Sequence, residues 1–182
     1  MPHLLSMTAT PIPRTLALTI YGDLDLTLLD EMPPERKPVK TAIITAAGRS
    51  AMYREINAQL SAGRQAYVIC PRIDEYDPEK LNALNAKSVK EEAARLKKDV
   101  FPGWNSAVLH GKMTPKEKER VMEQFTDHAV DILVATSVVE VGVNVPNATV
   151  ILIEGAERFG LAQLHQLRGR VIRSSHQPNC FC

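Results

Sequence analysis

The chain has 182 residues, 45% hydrophobic and 24% charged, with a formal net charge of +1. That length supports one domain with a proper core, plus at most a tail of a neighbouring one. Near-neutrality excludes attraction to a polyanion by the molecule as a whole, so a nucleic-acid site has to be a local patch.

No apolar run reaches the ~18 residues of a membrane-spanning helix, and Met1–Leu5 lacks the basic leader and cleavage site of a signal peptide. The cysteines, Cys70, Cys180 and Cys182, are odd in number and lack metal-type spacing. They read as free thiols in a reducing cytoplasm, and no metal site is expected. The abrupt apolar start and the strand-like Cys180–Cys182 end read as a piece cut from a larger chain.

In chain order, residues 1–20 contain a stiff Pro-Ile-Pro hinge after "MTAT", because each proline fixes its φ angle. Asp30–Thr41, with three prolines and mixed charge, reads as an extended linker. Val39–Thr45 is a candidate strand. A helix follows, capped by Ser50, carrying Met52, Ile56 and Leu60 on one face and ending at Gly63. Ala66–Cys70 is the next strand, and polar Ile73–Lys87 reads as a surface loop.

Ser88–Glu91 and Thr114–Glu117 both have the capping-box pattern, the second with proline in the first turn. The Thr114 helix turns Val121, Met122 and Phe125 inward. Strands are expected at Ser106–His110, Asp131–Ala135 and Thr149–Glu154, and a last helix over Leu161–Arg173. The nearly continuous aliphatic runs "DILVA" and "TVILI" suit a sheet buried on both faces. Alternation of this kind predicts an α/β fold, a mainly parallel sheet with helices on both sides.

Nucleotide-binding loops are missing from the sequence. There is no G-x-x-x-x-G-K-[ST], and His110–Met113, "HGKM", has neither the upstream glycine nor the hydroxyl. No G-x-G-x-x-G occurs either. "LTLLDE" at Leu26–Glu31 imitates a magnesium-binding acidic pair, but prolines follow at once and no phosphate loop precedes it. A self-sufficient ATPase is therefore not encoded here.

Charge concentrates in "HQLRGRVIRSS", with Arg168, Arg170 and Arg173 inside six positions. At about 100° per residue, a continuous helix puts Gln163, Gln166, Arg170 and Arg173 on one stripe. Leu161, Leu164, Leu167 and Val171 fall opposite. Arg168 leans to the apolar side near Leu161, which favours a structural or domain-contact role. Ile172 packs on that side if the helix continues. Thr136 and Ser137 follow a buried strand, where ligand-facing hydroxyls gather at the carboxyl edge. His110 is either a strand-end histidine satisfied by backbone or a residue beside a ligand path. Lys112 suits a phosphate-backbone contact.

"MTATPIPRTLALT", "GDLDLTLLDEMPPERKPVKT", "HGKMTPKEKERVMEQF" and "ILVATSVVEVGVNVPNATVILIEGAERFGLAQLHQLRGR" together closely resemble bacterial RecG-type DNA helicases of superfamily 2. The resemblance runs from Met7 almost to the end. It implies the end of a first motor domain and a hinge over residues 1–20, a linker over 21–41, and a second RecA-like domain over 42–182 with no phosphate loop of its own.

ATP and Mg²⁺ are then held mainly by the first RecA-like domain, outside this chain. The resemblance implies that Thr8, Ala9 and Thr10 couple the ATP and DNA sites, and that Arg72, His110, Lys112, Thr136 and Ser137 line the DNA path. It places Gly142 and Asn144 at the nucleotide, with Gln166, Arg170 and Arg173 as the Q-x-x-G-R-x-x-R element whose arginines reach the ATP phosphates.

It further implies a monomeric bacterial cytoplasmic enzyme that remodels branched DNA, with no membrane partner and with nucleoid association when on DNA. Asn144 stands where such chains carry aspartate, and Ile172 and Ser174 stand where they carry glycine. Two alternatives stay open: a degenerate DNA- or protein-binding module without ATPase, and the motor domain of a transcription-repair coupling translocase.

Overall fold

The computed structural model describes residues 27, 36–71, 88–136, 145–172 and 175–182. The chain divides into two units, Met1–Pro34 and Glu35–Cys182, and the architecture described belongs to the second.

Six strands form one parallel sheet: β1 (Lys40–Ala42), β2 (Gln65–Cys70), β3 (Ser106–Leu109), β4 (Ile132–Thr136), β5 (Ala148–Ile153) and β6 (Asn179–Phe181). Their order is β1-β6-β5-β2-β4-β3, and every neighbouring pair is parallel. The helices are α1 (Arg49–Ser61), α2 (residues 88–95, continuing into a π-helical turn at Leu96–Val100), α3 (Pro115–Thr126) and α4 (Leu161–Arg168).

Strand alternation sorts the core into two layers. Tyr67, Ile69, Leu133, Ala135, Ile151 and Ile153 point to one face, where Met122 and Phe125 of α3 and Leu167 of α4 cover them. Ala66, Val68, Ile132, Val134, Val150 and Leu152 point to the other, against Met52, Ile56 and Leu60 of α1 and Val89, Ala93 and Leu96 of α2. β2, β4 and β5 are buried along their whole length, as the uninterrupted aliphatic runs require. The expected α/β sheet covered on both faces is the observed one.

Local differences have physical reasons. β1 is shorter than Val39–Thr45 because it is an edge strand, and its register partner on β6 is only Asn179–Phe181. Lys40 and Thr41, shared between the expected linker and the expected strand, lie in the strand. Ser50 does not cap α1: a 3-10 turn over Ala46–Gly48 feeds the helix, and Gly48 occupies the cap position. Ser88 is itself helical rather than a cap.

The Thr114 capping box forms as expected. Thr114 Oγ1 accepts from the Glu117 amide at 3.3 Å, and the Glu117 carboxylate accepts from the Thr114 amide at 2.7 Å. Glu117's carboxyl is held below its ordinary range by that Thr114 amide bond and by the Thr114 hydroxyl, which donates to the same carboxylate oxygen at 2.9 Å. Gly63, at φ +76°, ends α1 as expected.

The largest departure is at the last helix. It stops at Arg168, and Gly169–Val171 tighten into a 3-10 turn. Residues in that turn advance by about 120° rather than 100°. The continuous stripe of Gln163, Gln166, Arg170 and Arg173 therefore breaks at Gly169. The inference that Ile172 extends the helix's apolar side falls with it: Ile172 follows the turn and is half-buried. Leu161, expected on the packed face, is 78% exposed, whereas Leu167 and Val171 are buried as expected.

Candidate functional site

All strands are parallel, so their carboxyl ends gather on one edge of the sheet, where ligands of open α/β folds bind. β2 and β5 are neighbours, yet β2 leads into α2 on one face and β5 into α4 on the other. Connections that diverge in this way open a crevice between their strands. Cys70 and Pro71 stand on one side of it, Glu154 and Gly155 on the other. Gly155 has φ +61°, and an added Cβ would come within 3.2 Å of Pro71 Cγ, so glycine suits both the backbone and the space.

Charge is organised around this crevice. Arg49, at the start of α1, pairs with Glu154 across 105 residues of sequence. Arg95 donates to both Glu92 oxygens, at 2.6 and 2.9 Å, and to the Tyr53 hydroxyl at 3.0 Å. The bidentate Glu92 bonds, ahead of the Tyr53 contact, hold the Arg95 guanidinium firmly protonated. The cavity here, about 320 Å³, is lined by Arg49, Cys70, Ser88, Glu92, Arg95 and Glu154. Sequence reading missed the Arg49–Glu154 pair. Its available signal was an acid directly after the "TVILI" strand.

His110 and Lys112 follow β3 and Thr136 ends the adjacent strand β4, at the same carboxyl edge of the sheet. Thr136 ends β4 and is 4% exposed, in register with Cys70. Lys112 is exposed on the turn closed by the Met113 amide donating to the His110 carbonyl at 3.2 Å. His110 Nδ1 is buried without a partner among the described residues. Burial first, then Lys90, pushes its pKa below the ordinary histidine value, so the ring is neutral near pH 7.

Gln166 is exposed on α4, and Arg170 is half-buried in the 3-10 turn after it. Arg49, Arg64, Arg95 and Arg168 all have side-chain partners. Among the described residues Arg170 has neither a hydrogen-bond acceptor nor a carboxylate as partner. Gln163 is not beside it: its side chain accepts from the Gly160 amide at 3.2 Å, closing the start of α4. Arg168 contacts His165 Nδ1 at 3.0 Å and lines a cavity with Leu161 and Leu164, the different direction expected of it.

Thr8, Ala9, Thr10, Arg72, Ser137, Gly142, Asn144 and Arg173 lie outside the described residues, as does the expected loop Ile73–Lys87. Among the described residues no cluster of three or more His, Cys, Asp or Glu could hold a metal. No helix among them is long and apolar enough to cross a membrane.

Comparison with known proteins places this architecture. Residues 47–175 match the family model of the helicase conserved C-terminal domain. An ATP-dependent DNA helicase RecG of Synechocystis sp. is 52% identical over 180 residues, 99% of this chain and 21% of the relative. One from Aquifex aeolicus is 51% identical over 99% of this chain and 22% of its own length. A solved structure of RecG bound to a three-way DNA junction is 44% identical with a TM-score of 0.75, over 95% of this chain and 22% of that one. The chain thus spans about a fifth of the relatives it matches here. It belongs to the helicase conserved C-terminal domain family, in the form found in RecG-type DNA helicases.

Proposed function

We propose that this chain is the second motor domain of an ATP-dependent DNA helicase that remodels branched DNA, such as stalled forks and junctions, in repair and recombination. The observation that carries the reading is near-complete alignment, at 52% identity, with a segment of a RecG helicase. The guanidinium of Arg170, half-buried and without a partner among the described residues, supports it. A planar fork of N–H donors matches phosphate oxygens and keeps its charge.

The division of labour follows from the residues. The chain has no phosphate loop, so ATP and Mg²⁺ belong to a first RecA-like domain across an interdomain cleft. When bound, ATP supplies the phosphoryl group whose transfer drives the motor. Arg170, with Arg173, offsets charge developing on that group, and Gln166 stands one turn earlier to hold the arginines' register. Gly142 and Asn144 contact the nucleotide.

Lys112, His110 and Thr136 form one stretch of DNA track at the sheet edge, joined by Arg72 and Ser137. Contacts of this kind go to the phosphate backbone and carry no base sequence. Thr8, Ala9 and Thr10 couple the two sites. The enzyme works as a monomer in the bacterial cytoplasm, at the nucleoid when on DNA.

The test is ATP hydrolysis in the presence of a three-way DNA junction. The 182-residue chain alone is expected to give no turnover, and the same chain joined to a RecG-type first motor domain is expected to give DNA-stimulated turnover. Robust hydrolysis by the purified chain alone contradicts the two-domain reading. Absence of stimulation in the joined protein contradicts the DNA motor.

A further inference from the structure

Cys180 and Cys182 lie two residues apart at the end of β6, so they share a face of the sheet, and their sulfurs are 3.7 Å apart. Cys180 is buried, whereas Cys182 is half-buried and lines a cavity of about 730 Å³. Arg168 and His165 of α4 line the same cavity. Arg168's partner there is an imidazole nitrogen rather than a carboxylate, so its positive charge is not neutralised. An accessible thiol, a second thiol within reach and a cation on one cavity wall form the arrangement of a reactive cysteine with its resolving partner.

We propose that Cys182 and Cys180 are a peroxide-sensitive dithiol, Cys182 attacking and Cys180 resolving. The Cys182 thiolate attacks one oxygen of a hydroperoxide. An S–O bond forms, the O–O bond breaks, and the leaving hydroxide or alkoxide takes up a proton. Cys182 becomes a sulfenic acid, oxidised by two electrons, and the peroxide is reduced. The Cys180 sulfur then attacks the sulfenic sulfur. An S–S bond forms, the S–O bond breaks, and the hydroxyl leaves as water with the Cys180 proton. The net change is two thiols and one hydrogen peroxide giving a disulfide and two waters.

The electrostatics agree with the assignment. Hydrogen bonding from Cys180, then the charge of Arg168, holds the Cys182 thiol below the ordinary cysteine range. The same hydrogen bond and burial push Cys180 above it.

The geometry makes the bond reversible. Residues two apart on a strand have Cα atoms roughly 6.6–6.8 Å apart, at the upper limit of about 6.8 Å for a disulfide. Closing it draws Cys182 toward Cys180 and strains the ladder in which the Cys182 amide donates to the Ala42 carbonyl at 2.9 Å and the Ile44 amide donates to the Cys182 carbonyl at 2.6 Å. A strained disulfide is readily reduced, which suits a switch rather than a structural bridge.

Cys70 is the internal control. It is buried, and its thiol is pushed up to about 12 by burial, then by Glu92 and Glu154.

The experiment treats the full chain with dilute hydrogen peroxide, followed by intact-mass measurement and peptide mapping without reductant. The expected result is loss of two hydrogens, about 2 Da, mapped to Cys180–Cys182, restored by dithiothreitol, with Cys70 still reduced. Cys182→Ser is expected to abolish that loss and leave Cys180 reduced. Cys180→Ser is expected to leave a dimedone-trappable sulfenic acid on Cys182. If Cys180→Ser does not fold, the wild-type map and Cys182→Ser decide the matter. The proposal is overturned if both thiols stay free, if they oxidise no faster than Cys70, or if the product is a disulfide between chains.

Discussion

Replacing Gln65 by Met probes the least obvious structural residue of the sheet. Gln65 opens β2 and is 1% exposed. Its amide nitrogen donates to two backbone carbonyls, that of Phe125 in the last turn of α3 and that of Val130 just beyond it, the latter at 2.7 Å. Methionine has nearly the same length and volume but neither donor. The Phe125 carbonyl keeps a second contact, from the His128 amide at 3.3 Å. The Val130 carbonyl keeps none among the described hydrogen bonds.

One buried carbonyl left without a donor costs about 1–3 kcal/mol, and weakening the other adds a fraction of that. Removing the polar amide from an apolar site returns part of the cost, so the net loss is about 2 kcal/mol. For a chain of this size that lowers Tm by roughly 4–8 °C. Thermal and urea unfolding followed by circular dichroism measure it. A Tm within about 1 °C of wild type would show that the two carbonyls need no donor from β2.

Thr114→Ala removes the side-chain half of the α3 capping box and is expected to lower Tm by about 2–4 °C, read by the same unfolding curves. His110, followed by NMR of its ring protons, is expected to titrate below the ordinary 6.5. The unfolded chain therefore takes up this proton first as pH falls from 6.5 toward the folded value. Stability contributed by His110 is present above 6.5 and is lost across that window, and a His110→Gln chain should show a flatter stability profile there. Gly155→Ala is expected to destabilise more than Gly63→Ala in parallel urea titrations. Both glycines have positive φ, but only at Gly155 would the new Cβ meet a neighbour, Pro71 Cγ at 3.2 Å. Equal losses would count against the close approach of the β2 and β5 ends.

The sheet was legible because its strands are extreme in composition. "ILVA" of the first and the whole of "TVILI" are buried, and short uninterrupted aliphatic runs suit a parallel sheet covered on both faces. The Thr114 capping box was legible because both of its hydrogen bonds are local. Gln65 was not, since its partners lie 60 and 65 residues away and a lone glutamine before a strand carries no pattern. The Arg49–Glu154 pair was hidden for the same reason.

At the last helix, one stripe from Gln163 to Arg173 requires a single periodicity through Gly169. The chain changes to a tighter turn there, so Gln163 caps the helix start instead of joining Arg170. Arg168 closes α4 and contacts His165, whereas Arg170 sits in the 3-10 turn beyond it. The remaining site residues, Arg173, Asn144 and Thr8 to Thr10 among them, rest on motif resemblance alone.

In the proposed motor, Arg170 serves ATP bound by another domain. The most direct test is Arg170→Ala in a full-length RecG-type helicase carrying this domain, measured as DNA-stimulated ATPase alongside thermal unfolding. Turnover is expected to fall on the order of 10³-fold, with Tm unchanged because no described partner of Arg170 is disturbed. Wild-type turnover in that variant would contradict that role.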